Sequence, residues 1–249
     1  MKKIDAILAC RVQGSRLYGK PLQNLSTDGP TVLESLLEYI NAIESVNSTI
    51  LAISDENEND AFVNIANKHG LNYVKGDQKD VLARLIKAAE EYGTEIVFRS
   101  TSENPFLLYE YGDSLIDEFL SGDYDWGAIM DTPDGTGIEI IKLEALKNSH
   151  EKGSDRHRSE LVTSYIFDNQ NDFKILKKKL PSRLRRPEIR LTVDYAEDLI
   201  FCQQAWQSLK KPNELIKIEQ IIEFWDQNSK LRKPLENIGV DWGHGRLWE

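Results

Sequence analysis

The chain has 249 residues, of which 40% are hydrophobic and 29% charged, a composition typical of a globular protein with a substantial core. Its net charge of −10 argues against general binding to nucleic acid, because such binding draws on a basic surface that neutralises phosphates. No apolar run approaches the roughly 18 residues of a membrane-spanning helix, and the first residues lack the apolar core of a signal peptide, so we expect neither segment.

Up to Pro105, short apolar runs alternate with helical patterns. The runs that predict strands begin at Ile4 and continue over 49–53, 71–74 and 95–98. The helical patterns cover 33–43, a segment opened by Ser54-Asp55-Glu56 and ended by Gly70, and 81–89, where Gly93 follows. Such alternation with short polar connections predicts an α/β fold with a mostly parallel mixed sheet and helices on both faces.

Beyond Pro105 the pattern is less regular. It predicts helices near 107–120, 142–149, 159–167, 198–209 and 218–225. A turn at Thr132-Pro133-Asp134-Gly135 separates strands over 126–130 and 138–141, which indicates a hairpin. Two further strands, over 173–176 and 188–193, are expected to pair with each other. Without repeats or a low-complexity linker, we predict a single domain over 1–249, with an inserted region at about 130–186 and a C-terminal tail at 236–249.

The thiols and imidazoles give no sign of a metal centre. Cys10 and Cys202 match no C-x-x-C pattern, and the four histidines share no ligand spacing with them. Because unpaired cysteines are the rule in reducing compartments, we predict a cytoplasmic protein. Trp242 and Trp248, in the tail, are expected to pack onto the body of the protein, with packing onto a partner as the alternative.

A cationic loop follows the first strand. Its two glycines and three cations are Gly14, Gly19, Arg11, Arg16 and Lys20. Glycine lets a backbone approach a ligand closely, and ligands of parallel sheets lie beyond the carboxyl ends of the strands, so this loop is predicted to hold a phosphate group. The pattern is not that of a P-loop, because Pro21 follows the lysine at the position where a P-loop has serine or threonine. A cationic surface loop after an edge strand is the alternative.

Two carboxylates also follow predicted strands. Glu103 lies just past the fourth strand and Asp194 ends the 188–193 run. Loop carboxylates together with substrate phosphates are a usual way to hold Mg²⁺, and phosphoryl or nucleotidyl transfer needs little more than such positioning and charge neutralisation. Each has a structural alternative: Glu103 as the start of a helix, and Asp194 as the cap of the helix that follows it.

Residues 9–22, A-C-R-V-Q-G-S-R-L-Y-G-K-P-L, resemble the A-R-x-x-S-T-R-L-P-G-K-P-L signature of the CTP-dependent sugar-acid cytidylyltransferases. This family includes the CMP-Kdo and CMP-sialic acid synthetases, and the layout is most similar to the spore-coat polysaccharide (SpsF-type) members. Further blocks in the same order are L-A-I-S-D (51–55), G-D (76–77), D-V-L-A-R (80–84), R-S-T-S-E-N-P (99–105), E-L-V-T-S-Y-I (160–166) and R-L-T-V-D (190–194) with E-D (197–198). Together they cover roughly residues 4–235.

The resemblance implies a Rossmann-like nucleotide-diphospho-sugar transferase fold. It also implies transfer of CMP from CTP to an acidic sugar, with release of pyrophosphate, for surface polysaccharide synthesis. Mg²⁺ would be the cofactor, and CTP and an anionic small molecule the partners. The protein would be a homodimer, with the 130–186 region supplying both the acceptor site and the dimer contact.

Carried over by position, the resemblance assigns a role to each matching residue. Arg11, Arg16 and Lys20 would neutralise the triphosphate, while Gly14 and Ser15 would offer backbone contacts. Asp77, Asp80 and Thr101 would lie near the nucleoside, and Glu103 and Asp194 would bind the metal. Glu139, Arg158 and Tyr165 are the candidates for binding the acceptor.

The chain departs from the family pattern at several positions. They are Gly14 for serine, Tyr18 for proline, Ser102-Glu103 for G-D, Leu161 for histidine and Gly137 for aspartate. Three alternatives therefore stay open: a phosphorylated or phosphonate acceptor instead of a sugar acid, a catalytically silent nucleotide-binding relative, and a metal-dependent glycosyltransferase. The last rests on the D-x-D of Asp123-Tyr124-Asp125, which precedes an apolar strand instead of following one.

Overall fold

A seven-stranded sheet organises the protein in a computed structural model, which describes residues 2–14 and 16–239. Its strands are β1 (Ile4–Cys10), β2 (Ser48–Ser54), β3 (Asn72–Gly76), β4 (Ile96–Arg99), β5 (Trp126–Met130), β6 (Glu139–Lys142) and β7 (Ile175–Lys179). They lie in the order β3-β2-β1-β4-β6-β5-β7. β6 runs antiparallel to its neighbours β4 and β5, and the remaining pairs are parallel. The predicted mostly parallel mixed sheet is confirmed, including the β5–β6 hairpin.

The helices of the described residues are α1 (Val32–Ile40), α2 (Asp60–His69), α3 (Val81–Tyr92), α4 (Gly112–Gly122), α5 (Leu143–Lys152), α6 (Ser164–Asp168), α7 (Ala196–Leu209), α8 (Ile218–Gln227) and α9 (Ser229–Ile238). Local chemistry sets their ends. Thr31 and Glu34 form a reciprocal capping box at the start of α1. Gly70 and Gly93 end α2 and α3 in the left-handed conformation. Within residues 2–14 and 16–239, no helix is long and apolar enough to cross a membrane.

Apolar side chains are buried on both faces of the sheet. Along β1, Ala6 and Leu8 pack with α1, α4 and α7, whereas Ile7 packs on the opposite face with α3 and α5. This alternation follows from the period of two in a strand, and a strand buried on both faces has a nearly continuous apolar sequence. The sheet is thereby a rigid support for the loops at its carboxyl edge.

The predicted pairing of strands 173–176 and 188–193 is wrong. β7 pairs in parallel with β5, while residues 188–193 form no strand and make only an isolated bridge between Arg190 and Asp134. Asp134 bonds this segment through its backbone, with its N–H donating to Ile189 O at 2.8 Å and its carbonyl accepting from Leu191 N–H at 2.8 Å. The alternating apolar residues are buried in the core, which gives a strand-like pattern without a ladder.

Smaller differences concern the helices. The helix predicted near 107–120 begins at Gly112, after a 3-10 turn at Tyr109–Tyr111, and the one predicted near 159–167 is shortened to α6. α9 was not predicted, and it contains Pro234. It occupies the start of the predicted tail, whereas residues 240–249, including Trp242 and Trp248, lie outside the described residues.

Gly135 tests the packing of the hairpin loop, residues 131–138 between β5 and β6, on residues 189–193. It has φ +89°, and an added Cβ would lie 2.5 Å from the backbone nitrogen of Thr192. We expect Gly135→Ala to lower the free energy of unfolding by about 2–5 kcal/mol in urea denaturation, because backbone strain and a clash add. Gly93→Ala is the matched control, with φ +66° and nothing within 4 Å, and should cost about 1–2 kcal/mol. Equal losses would contradict the tight packing of the hairpin loop on residues 189–193.

Candidate active site

A cleft of about 300 Å³ lies at the carboxyl edge of the sheet. It is bounded by the loop after β1, the loop after β4, the first turns of α3 and the segment before α7. The charged residues that line it are Arg11, Arg16, Lys20, Arg84, Arg99, Glu103, Glu160 and Asp194. The topology therefore brings the predicted triphosphate-binding and metal-binding residues to one place, as the rule for parallel sheets predicted.

The cation loop, residues 11–20, is closed and anchored by backbone hydrogen bonds. Gly19 N–H donates to Val12 O at 2.8 Å, and Val12 N–H donates to the Oδ1 of buried Asn59 at 2.8 Å. A Cβ at Gly14 would lie 2.4 Å from Leu17 O, so this tight loop explains glycine in place of the family's serine. Ser15, predicted to contact the nucleotide, lies outside the described residues.

Asp194 is surrounded by cations. Its Oδ1 lies 2.5 Å from Lys20 Nζ and 3.1 Å from an Arg16 guanidinium nitrogen. Its Oδ2 lies 3.5 Å from Arg190, a side chain only 1% exposed. Asp194 does not cap α7 as the alternative proposed, because the Asp198 carboxylate accepts the N–H groups of Asp194 and Tyr195. The carboxylate is thus turned toward the cleft and its cations.

Glu103 is held beside Asp194 through the backbone. Its carbonyl accepts the N–H of Val193 at 3.1 Å, and the neighbouring Ser102 hydroxyl donates to Ala9 O at 2.9 Å. Burial raises the pKa of Glu103, the Lys20 charge opposes this rise, and the Asp194 charge adds to it. The raised pKa of Glu103 is thus due mainly to burial, to which the nearby Asp194 carboxylate adds.

This donor set fits a hard divalent cation that is shared with a phosphate. No group of three or more histidine, cysteine or acidic side chains able to hold a metal occurs in the part of the chain that the structure describes. Glu103 and Asp194 offer two carboxylates, and Mg²⁺ is usually bound by one or two carboxylates plus substrate phosphates and water.

Arg84 is a cleft residue that the sequence analysis did not single out for a role. It is 2% exposed, and its Nε and Nη1 atoms are buried with no hydrogen-bond partner among the described residues. Burial lowers its pKa, although an arginine stays charged at neutral pH. The available signal was a charged residue within the apolar stripe of α3, beside Val81 and Leu85. Unpaired buried donors in a cleft indicate a ligand acceptor atom.

Arg99 is a second cleft residue to which the sequence analysis assigned no role. One of its terminal nitrogens contacts the Glu139 carboxylate and the other donates to Glu160 O at 3.0 Å. Glu139 also accepts from Trp126 Nε1 and Thr163 Oγ1, both at 3.3 Å. Glu139, predicted to bind the acceptor, therefore lies behind Arg99 and holds it, and Arg99 itself lines the cleft.

Besides Glu139, four predicted site residues do not line the cleft. The Asp77 carboxylate accepts the N–H groups of Lys79 and Asp80, while Asp80 caps α3 and lies 2.8 Å from His150. Arg158 donates to His150 O at 3.2 Å. Tyr165 packs edge-to-face between His157 and Phe173. Thr101, in contrast, lies in the lining of the cleft.

The D-x-D motif lies away from this cleft. Asp123 ends α4 with φ 51°, and Asp125 immediately precedes β5, at the amino edge of that strand. Both carboxylates contact Lys142, at 2.9 and 3.0 Å. The motif is therefore a helix-to-strand turn outside the cleft, and it does not support the glycosyltransferase hypothesis.

Comparison with known proteins agrees with this architecture. The family model for cytidylyltransferases matches residues 6–235. The uncharacterized protein MJ1063 of Methanocaldococcus jannaschii is 30% identical over 238 residues, which cover 95% of this chain and 96% of that protein. The spore coat polysaccharide biosynthesis protein SpsF of Bacillus subtilis is 27% identical over 203 residues, covering 80% and 84%. A solved cytidylyltransferase structure from Leptospira borgpetersenii superposes with a TM-score of 0.83 at 22% identity, covering 93% and 97%.

The sheet and its carboxyl-edge cleft are those of a nucleotidyltransferase with a Rossmann-like fold. Since the family model spans most of the sequence, the chain belongs to the cytidylyltransferase family. The resemblance seen in the sequence is thereby confirmed.

The two thiols are predicted to be inert. Cys10 and Cys202 are fully buried, and burial raises the pKa of Cys10 to about 12 and that of Cys202 above its ordinary value. Because the thiolate is the reactive form, we expect no reaction of the native protein with a disulfide reagent at pH 8, and reaction of both thiols after unfolding in guanidinium. Rapid reaction of Cys10 in the native protein would show that β1 opens at its carboxyl end, and rapid reaction of Cys202 would show that α7 opens.

Proposed function

We propose that the protein transfers CMP from CTP to an acidic sugar for surface polysaccharide synthesis. An oxygen of the acceptor forms a bond to the α-phosphorus of CTP, the bond from this phosphorus to the bridging oxygen breaks, and pyrophosphate leaves with the electron pair. The observation that carries the proposal is the meeting of Lys20, Arg16 and Asp194 beside Glu103 in one cleft. Such transfer depends mainly on positioning and on neutralising charge.

The cation loop is proposed to bind the triphosphate. Arg11, Arg16 and Lys20 carry three positive charges into the cleft, where their interaction with phosphate oxygens is stronger than in bulk water. Gly14 lets the loop backbone approach the phosphates closely. Glu103 and Asp194 would hold Mg²⁺, which when bound supplies neutralisation of the phosphate charge.

Arg84 is proposed to recognise the base. Arg84 lines the cleft together with Ile7, Ala9, Val81 and Leu85, which offer an apolar surface to a flat ring. Cytosine presents a carbonyl oxygen and a ring nitrogen as adjacent acceptors, which suit the unpaired donors of Arg84. Thr101 lies in the same lining and stays a candidate for contact with the nucleoside.

Arg99 is proposed to bind the anionic group of the acceptor. Glu139 and Glu160 O fix its guanidinium at the cleft, so that little side-chain freedom is lost on binding. A carboxylate suits such a group, and so does a phosphate or phosphonate, which keeps that acceptor class as the second candidate.

Residues 130–186 would supply the dimer contact, and the protein would act in the cytoplasm.

Lys20→Ala and Asp194→Asn test the site. Each removes one half of the 2.5 Å ion pair, and we expect each to lower kcat/KM for pyrophosphate release by at least about 10²-fold, the scale on which single transition-state contacts act. Lys79→Ala, which removes an exposed lysine outside the cleft lining, is the matched control. Full activity of either cleft variant, with an unchanged circular dichroism spectrum, would refute the assignment.

The substrate is identified by a pyrophosphate-release screen that crosses the four nucleoside triphosphates with acidic sugars and with phosphorylated or phosphonate acceptors. The proposal expects activity with CTP and an acidic sugar. No release with any pair, together with no binding of CTP in calorimetry, would favour the catalytically silent alternative.

Arg84→Met separates base recognition from chemistry. We expect KM for CTP to rise by about 10- to 100-fold, the value of hydrogen bonds from a charged donor, and the preference for CTP over UTP to fall. Because two of its buried guanidinium nitrogens have no hydrogen-bond partner among the described residues, the same variant should unfold at an equal or higher urea concentration. Loss of stability without any change in KM would show a structural role instead.

A further inference from the structure

The two oxygens of the Asp194 carboxylate have different partners. Oδ1 faces the cation loop, with Lys20 Nζ at 2.5 Å and Arg16 at 3.1 Å. Oδ2 faces the interior, with Arg190 at 3.5 Å. A metal ion would therefore have to displace cations from Oδ1 or from Oδ2 before it could bind this carboxylate.

The partner of Oδ2 is fixed. Arg190 is 1% exposed and makes two hydrogen bonds to the buried Asp198 carboxylate, at 3.0 and 3.1 Å. A third bond runs from Arg190 to Gly239 O at 2.9 Å. Burial alone would lower the pKa of Arg190, but the hydrogen bonds to Asp198 and the charges of Asp134 and Asp194 raise it, so this cation is permanent.

The partners of Oδ1 belong to the cleft. Lys20 and Arg16 lie in the cation loop, line the cleft, and have side chains that are 15% and 32% exposed. Arg16 also lies over the Tyr195 ring, 5.2 Å from its centroid, whereas the Lys20 ammonium is a compact charge on a flexible stem. Lys20 is thus the partner of Asp194 that can move most readily toward a phosphate.

We propose that Lys20, assisted by Arg16, masks Asp194 from divalent metal in the free protein, and that the triphosphate removes this mask. A cation at 2.5 Å from Oδ1 occupies the position that a metal needs and repels it. A triphosphate draws the ammonium to its own oxygens and leaves Oδ1 to the metal. Metal and nucleotide then bind with positive coupling, which by linkage is the same in both directions. This inference rests on the proposed function of the cleft.

The test is a titration of the protein with Mn²⁺ alone, followed by electron paramagnetic resonance. Lys20→Gln should bind Mn²⁺ at least about tenfold more tightly than wild type, since a charged competitor has been removed. Arg11→Gln is the matched control, because Arg11 pairs with Glu160 at 2.7 Å and not with Asp194, and its affinity should stay within about twofold of wild type. Asp194→Asn added to Lys20→Gln should abolish the gain.

Calorimetry supplies a second readout. The ratio of CTP affinities with and without Mn²⁺ should be smaller in Lys20→Gln than in wild type, because the variant has no mask to remove. If Lys20→Gln does not fold by circular dichroism, Arg16→Gln carries the same test, with a gain expected in the same direction.

Equal Mn²⁺ affinity of wild type and Lys20→Gln, or an equal gain in Arg11→Gln, would overturn the masking. If either result is found and the wild-type protein releases pyrophosphate, the proposed function stands and only the masking is refuted. If Mn²⁺ affinity rises in Lys20→Gln as expected but the wild-type protein releases no pyrophosphate with any acceptor, the proposed function is refuted instead.

Discussion

The buried pair of Arg190 and Asp198 is the interaction on which the site depends. Both side chains lie inside the protein, where an ion loses its hydration and is stable only with a well-placed partner. Removing one member of such a pair costs about 3–5 kcal/mol, because the other charge is left buried and unpaired. Asp198 further accepts the backbone N–H groups of Asp194 and Tyr195. The pair therefore fixes the backbone from which the Asp194 side chain extends into the cleft.

The same guanidinium joins parts of the chain that are far apart in sequence. It reaches Gly239 O past the end of α9 and lies 3.8 Å from the Asp134 carboxylate in the hairpin loop. The cleft is thus assembled from two kinds of support. The parallel strands carry the cation loop and Glu103 at their ends, while Asp194 is placed by an ion cluster and by backbone bonds to a loop. This second support explains why a segment with a strand-like sequence does not need to join the sheet.

The sequence predicted what depends on local patterns. Apolar period and helix-ending glycines placed β1 to β4 and α1 to α3, and the order of short motifs indicated the family. Prediction from the sequence failed where contacts between distant parts of the chain determine the structure. The alternation at Ile189, Leu191 and Val193 reflects the burial of their side chains. The backbone of this segment bonds to two loop residues, Asp134 and Glu103, instead of a neighbouring strand. Likewise, no spacing rule shows that Glu139 holds Arg99, because this contact crosses from β6 to β4.

Arg84 and Asp194 together describe a cleft whose charges are unbalanced in the free protein. Arg84 has two buried nitrogens that find no acceptor in residues 2–14 and 16–239, while Asp194 has more cations than one carboxylate needs. A neutral ligand could offer acceptors to Arg84 but would leave the excess of cations at Asp194 unchanged. A ligand that brings acceptors to Arg84 and negative charge to the cation loop corrects both conditions. Part of its binding free energy then comes from relieving a mismatch that the fold maintains. Because the sheet and the Arg190 cluster hold these groups rigidly, the mismatch persists until such a ligand binds, and this rigidity would favour a nucleotide over smaller anions.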